Sequence, residues 1–437
     1  MTSNSSKIRQ LSKSSLFTDS TLFQKSELSN GALLVTEKID HVRSVSLGAW
    51  VKTGSRHEAP GENGVSHFVE HMLFKGTRKR SAFDIAHAIE SVGGGLNAFT
   101  GKELTCYYAH ILDENLPLAV DVLTDMLIDS RFLQEEFEKE KQVILEEIDD
   151  ANEVPEDKIH DYFFADLFED HPLAQPILGS SDSVHALQNQ QLKDFVARTY
   201  RPDSFVFAAA GNVDHDQLAA LLDAALPNAK PGLNGEQTHT ATLSRKRKAR
   251  IYNEKSLLSH LCIGSHLLHF ADKRKYAALI LNTLIGGGMS SRLFQSVREK
   301  HALCYNIYSY LEFFSDTGIF CIYAGADKEK SNFAHDLIAR ELETIRMNGI
   351  SVDELEATKS QFKGNLMLGL EDTYSRMNRI AKMEIYLQNY YSLDQVLDGI
   401  SKVSLSDIQN VAEIMLHPDG LVTSILCSNI QTEEEAG

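Results

Sequence analysis

The chain has 437 residues, 43% apolar and 24% charged, and its 43 Lys and Arg against 61 Asp and Glu give a formal charge of −18. That length is too great for one ordinary core and predicts roughly two to four domains. No apolar run approaches the roughly 18 residues of a membrane span, which argues against a membrane protein. The acidic balance argues against nonspecific nucleic-acid binding and leaves room for a basic ligand. Cys106, Cys262, Cys304, Cys321 and Cys427 are odd in number and scattered, with no CxxC pair. They read as reduced, mostly buried thiols of a cytoplasmic protein, with the mitochondrial matrix as the alternative, and their spacing disfavours a thiolate zinc cluster.

Residues 1–29 read as a flexible, serine-rich tail without the apolar stretch of a secretory signal; a plain tail is preferred to a transit peptide. ALLVTEK (32–38) and SVSLGAWVKTGS (44–55) alternate as two strands. The loop EAPGENG (58–64) follows, and Val65 opens a helix. SAFDIAHAIESVGG reads as a helix closed by glycines, LNAFTGKELTCYYAHI as strand, and LPLAVDVLTDMLID and LQEEFEKEKQVILEEIDDANE as long helices. FVFAAAGNV (205–213) is a buried strand, and HDQLAALLDAAL a helix that closes the half. Residues 228–248, with Pro, Gly and small polar residues but no apolar period, are the best linker. The basic run RKRKAR (245–250) leads into a strand and reads as a solvated linker end rather than a nucleic-acid patch.

Beyond the linker the same order of elements returns. LSHLCIGSHLL, NIYSYLEFF and GIFCIYAGA are strands, and SNFAHDLIARELETI and VDELEATKSQFKGNL answer the two long helices of the first half. The fold class is therefore α+β, with two duplicated halves, 30–227 and 249–437. The glycines at 286–288 lack a following GK[ST] and do not make a phosphate loop.

The chemistry gathers in HFVEHMLFKGT, residues 67–77. His67 and His71, four apart on a helix, are offset by only about 40° around its axis and can grip one metal ion. Glu70 lies on the same side, within reach of a water beside that metal. Neutral imidazoles suit zinc, and a catalytic zinc takes three protein ligands and an open position. HxxEH is the inverse of the HExxH signature. Among 17 histidines, a surface or core pair explains the pentapeptide equally well until a third ligand is found. The acid-rich helix EKEKQVILEEIDD offers candidates: Glu140 and Glu147 face the same way within about 20°, and Glu146 points about 100° away.

HFVEHMLFKGT, NAFT (97–100) and EKEKQVILEEI (138–148) together closely resemble the pitrilysin-type zinc peptidases, in the branch of mitochondrial processing peptidase and its bacterial relatives. HPLAQPILG (171–179), GGGMSSRLFQSVREKHALCY and LEDTYSRMNRI (370–380) extend the resemblance over nearly the whole chain. It implies that the third zinc ligand is the glutamate 76 residues after the second histidine, Glu147, with Glu140 seven residues earlier as an auxiliary. It also implies that Arg298 and Tyr305 reach the active site from the second half across a clamshell, and that Asn97 and Ala98 lie on a strand edge where an extended peptide docks. His301 and Ala302 stand where relatives commonly carry a charged residue and Gly.

The function so implied is a metalloendopeptidase with one Zn2+ per chain. The zinc acidifies a water, Glu70 moves its proton to the leaving amine, and Arg298 and Tyr305 donate hydrogen bonds to the oxyanion or the substrate backbone. The alternative is a noncatalytic or regulatory partner subunit. Such relatives lose some of His67, Glu70, His71 and Glu147, all of which are present here. Because one chain carries both the metal motif and the Arg/Tyr pair, the expected assembly is a homodimer, with a heterodimer as the alternative, acting on peptides.

Overall fold

The computed structural model of the chain describes residues 9–10, 22–226 and 247–428. The expected linker lies almost wholly outside these residues, as does most of the expected tail. Phe23–Glu27, assigned by sequence to that tail, is instead a strand: only Phe23 gives it an apolar anchor, stacked 3.9 Å from the Tyr390 ring, so its alternation is faint in sequence.

The chain forms two compact units, each on one sheet. The first sheet contains β1 (Arg9–Gln10), β2 (Phe23–Glu27), β3 (Leu33–Lys38), β4 (Ser44–Val51), β5 (Gly95–Thr100), β6 (Thr105–Leu112) and β7 (Phe205–Gly211), in the order β1-β2-β3-β7-β4-β6-β5. β3 and β7 run parallel and the other pairs antiparallel. β7 is buried along its whole length, which explains a continuous apolar run rather than an alternating one. One face of the sheet packs Leu47 and Ala209 against Phe68, Leu123 and Ile144 of the helices Val65–Leu73, Leu116–Asp129 and Gln134–Glu153. The other face packs Trp50, Val206 and Ala208 beneath Met377, Ile380 and Ala381 of the helix Thr373–Leu387. Gly48 permits that approach, since a Cβ there would lie 2.9 Å from the Met377 sulfur.

The second sheet contains β8 (Lys248–Asn253), β9 (Ser259–Leu267), β10 (Cys304–Phe313), β11 (Gly318–Ala326) and β12 (Val422–Cys427), in the order β10-β11-β9-β12-β8. Read from its other end, β8-β12-β9-β11-β10 repeats β3-β7-β4-β6-β5 of the first sheet, with the parallel pair in the same place. The helix Pro155–Phe168 covers one face through Ile159, Phe163 and Leu167. Here too a glycine admits the helix: a Cβ on Gly264 of β9 would lie 2.8 Å from the Phe163 ring.

The α+β duplication is thus visible strand by strand. The compact units, however, are not contiguous in the chain: one draws on Met1–Ile148, Pro176–Thr238 and Leu368–Ser392, the other on Asp149–Gln175, His239–Met367 and Leu393–Gly437. In each repeat, the helix that follows the long acidic helix belongs to the sheet of the other repeat. Helical periodicity shows that such a helix has an apolar face; it does not say which sheet the face covers. Met377→Ala should therefore destabilise the sheet of the first repeat although it lies in the second, at a cost of about 2–5 kcal/mol. A shift in the denaturation midpoint checks this, and an unchanged midpoint would show that the helix contributes nothing there.

Candidate metal centre

The helix Val65–Leu73 buries Val65, Phe68, Val69 and Met72 against the first sheet, which leaves His67, Glu70 and His71 along its opposite stripe. Phe68 stacks flat on Phe137 of the helix Gln134–Glu153, with ring centroids 4.8 Å apart. That aromatic contact sets the two helices side by side. Along the second helix, Phe137, Glu140, Ile144 and Ile148 form the buried stripe, Glu147 is half-buried at its margin, and Glu146 is exposed.

The Glu147 Oε2 consequently lies 3.7 Å from His67 Nε2 and 3.5 Å from His71 Nε2. The three donor atoms all fall within 4.8 Å of one another. In a tetrahedral zinc site with metal–ligand distances of about 2.0–2.1 Å, neighbouring ligand atoms are about 3.3 Å apart. Small rotations of the side chains would bring these donors to that spacing, so two imidazoles and a carboxylate here fit such an ion. Burial, and then the neighbouring His71, push the His67 pKa down to about 4, so at neutral pH its ring is uncharged and keeps a lone pair for a metal. His67 Nδ1 has no hydrogen-bond partner among the described residues.

Glu140 is buried between two partners. Its Oε2 lies 3.1 Å from His71 Nδ1, and its Oε1 pairs with Lys75 Nζ at 2.7 Å. A carboxylate on the far nitrogen of an imidazole fixes the tautomer and directs Nε2 outward. Glu70 receives a hydrogen bond from Thr100 at the end of β5, and burial raises its carboxyl above the ordinary value.

Two anchors of the motif helix escape the sequence reading. Glu58 accepts hydrogen bonds from the Gly64 and Ser66 backbone N–H groups, each at 2.9 Å, and so caps the helix from outside it. Gly64 itself adopts φ +92°, and a Cβ there would lie 2.8 Å from the Leu178 carbonyl oxygen, so HPLAQPILG packs where only glycine fits. The sequence signal for Glu58 is weak, since a glutamate in a Pro/Gly loop looks solvated. Thr100 stands within the NAFT segment, but nothing in its spacing joins it to Glu70. Lys75 lies within the motif and is likewise silent until Glu140 is placed.

Asn97 and Ala98 lie on β5, which ends the sheet order and pairs only with β6 among the described residues. Arg298 and Tyr305 belong to the other unit. Arg298 sits on a π-helical turn, Phe294–Lys300, with its guanidinium 4.8 Å above the Phe294 ring. Tyr305 is 67% exposed and occupies the bulge where the β10–β11 register shifts between Cys304 and Asn306. Bulges and π-turns re-aim side chains and cluster near functional sites. Between them Ala302 takes φ +48°, a left-handed conformation that explains why glycine suits this position.

With this geometry in hand, the sequence comparisons are specific. Residues 33–181 match the Insulinase (Peptidase family M16) family and residues 186–362 match the Peptidase M16 inactive domain. An "uncharacterized zinc protease" of Streptomyces coelicolor is 41% identical over 401 residues, covering 90% of this chain and 87% of that protein. A protein of the same description from Bacillus subtilis is 39% identical over 396 residues, covering 89% and 95%. A protease structure from Helicobacter pylori superposes with a TM-score of 0.86 at 22% identity, covering 93% of this chain and 99% of that one, which shows the shared fold. The fold and the two-histidine helix define a duplicated α+β protein with a metal-type motif in its first repeat. The chain belongs to peptidase family M16.

Burial pushes the Glu58 carboxyl up to about 7, against the hydrogen bonds from Ser66 and Gly64 that favour its charge. Because the folded value exceeds the ordinary value of 4.5, the stability it contributes is complete below that value and is lost as the pH rises through about 7. Wild type should therefore lose thermal stability relative to Glu58→Gln between about pH 5 and about pH 8. A difference between the two melting temperatures that does not change with pH would contradict this.

Proposed function

We propose that the chain is a zinc metalloendopeptidase that hydrolyses extended peptides, with His67, His71 and Glu147 as metal ligands. The observation that carries the reading is the meeting of two imidazole nitrogens and a carboxylate oxygen around one point, with Glu70 on the same helical stripe. When bound, a zinc ion supplies Lewis acidity, acidifying water and polarising a peptide carbonyl.

The chain's own groups do the rest. Glu70, held by Thr100 and raised by burial, is suited to take a proton from water and return it to the leaving amine. Glu140 holds the His71 ring in the orientation that presents Nε2. The free side of β5 suits an extended peptide added as a further strand, beside Asn97 and Ala98. Thr100 ends that same strand, so the peptide seat and the orientation of Glu70 are built on one element. For Arg298 and Tyr305 the reading rests on the motif resemblance and on their hydrogen-bond donors, which suit an oxyanion or a substrate backbone. The presence of His67, Glu70, His71 and Glu147 together favours a catalytic chain over a regulatory partner subunit.

Glu70→Gln should retain zinc and lose peptide cleavage by about 10²–10⁴-fold. Zinc analysis and a peptide assay on one preparation check both halves, and appreciable turnover by the zinc-loaded variant would remove Glu70 from the reaction. Glu140→Gln should weaken zinc binding by about 10–100-fold, read by competition with a chromophoric chelator. An unchanged affinity would show that Glu140 does not orient His71.

A further inference from the structure

A second group of metal-type donors lies in the other unit and has no part in the proposed peptidase chemistry. Cys262 stands on β9 and Cys321 on the adjacent antiparallel β11, where Tyr323 is opposite Cys262 and Gly264 is opposite Cys321. The two thiols are thus diagonal neighbours on one face of the sheet. That face is covered by the helix Pro155–Phe168, which brings His160 down onto them. Cys262 Sγ lies 3.6 Å from His160 Nδ1, and the three donor atoms fall within 4.8 Å of one another. Both cysteines are fully buried.

We propose that His160 Nδ1, Cys262 Sγ and Cys321 Sγ form a second metal site, selective for a thiophilic divalent cation of the zinc type. A tetrahedral zinc with bonds of about 2.3 Å to sulfur and 2.0–2.1 Å to nitrogen sets its sulfur and nitrogen about 3.6 Å apart. The Cys262–His160 separation already matches that. The Tyr310 hydroxyl lies 2.8 Å from His160 Nδ1, and by turning from that nitrogen it would supply a fourth ligand to the ion. His160 Nε2 meets the Tyr308 hydroxyl at 3.2 Å, the outer hydrogen bond that orients a ligating imidazole.

Charge favours the same occupant. A dication bound by two thiolates and a neutral imidazole is electrically neutral, the state a buried site tolerates best. Loading balances as one dication taken up and two thiol protons released, with no oxidant required. The donor set differs from that of the first centre, which holds no sulfur, so the two sites are distinguishable by spectroscopy. The 59-residue separation of the cysteines in the chain hides their proximity, which the register of β9 and β11 creates.

The test uses the full-length His67→Ala/His71→Ala variant, produced in cobalt-supplemented medium and kept under reductant so that a buried site loads as the chain folds. The expected result is about one cobalt per chain with thiolate-to-metal charge-transfer absorption in the near ultraviolet. Cys262→Ser or Cys321→Ser in that background should abolish the absorption. Should a cysteine variant fail to fold, His160→Gln provides the second arm, with cobalt affinity lowered by more than the about 10–100-fold that loss of an outer hydrogen-bond partner costs. Folded protein without bound cobalt, absorption that survives the cysteine substitutions, or a Cys262–Cys321 disulfide persisting under reductant would each overturn the proposal.

Discussion

The packing of Phe68 on Phe137 is the contact on which the candidate centre depends. A helix can align two histidines by spacing alone, but a third ligand must come from elsewhere in the chain. Here it comes from a helix whose own buried stripe holds it beside the first. The ring stack fixes the lateral distance, Glu140 enters the interface and engages His71, and Glu147 emerges at the margin where the imidazoles face it. Below this pair lies the sheet; the two imidazoles are mostly buried and the Glu147 carboxylate is half-exposed. Glu58 and Gly64 hold the start of the motif helix, so the angle at which the histidines are presented is set by the capped end as well as by the packed face.

Duplication has left the two-histidine motif in the first repeat alone among the described residues. The strand orders are the same in both sheets, yet the helix after β9 carries KYAALILNTLIG in place of a metal motif, consistent with the match of that half to an inactive domain. Each repeat also lends a helix to the other's sheet, admitted by a glycine at a corresponding strand, Gly48 or Gly264. An exchange of this kind joins the repeats through their cores, so neither sheet is completed by its own half of the chain. The lent helix from the first repeat also carries His160, and it is this exchange that creates the thiol–imidazole cluster.

Much of this was legible in the residues. Strong period-2 and period-3.6 patterns placed the strands and long helices, and the repeat appeared because the same sequence of patterns returns after the linker. HxxEH offered a metal pair, on equal terms with a surface or core pair until a third ligand was found. The spacing to Glu147 became meaningful only through resemblance, since several glutamates on that helix are equivalent to periodicity alone. What stayed hidden was partnership across sequence distance. Thr100 to Glu70, Lys75 to Glu140, Glu58 to the helix end and Cys262 to Cys321 are pairings made by sheet register and helix packing, and no local pattern encodes them. The strand at Phe23–Glu27 was missed for a simpler reason: its sequence, FQKSE, carries too little apolar surface to stand out from a polar tail.

The central claim is that His67, His71 and Glu147 hold one catalytic zinc. Anomalous diffraction recorded on both sides of the zinc edge, from crystals of protein that cleaves peptide, tests it most directly. The account predicts an anomalous peak among His67 Nε2, His71 Nε2 and the Glu147 carboxylate, at about 2.0–2.2 Å from each. Active protein whose crystals show no zinc peak at that position would contradict it.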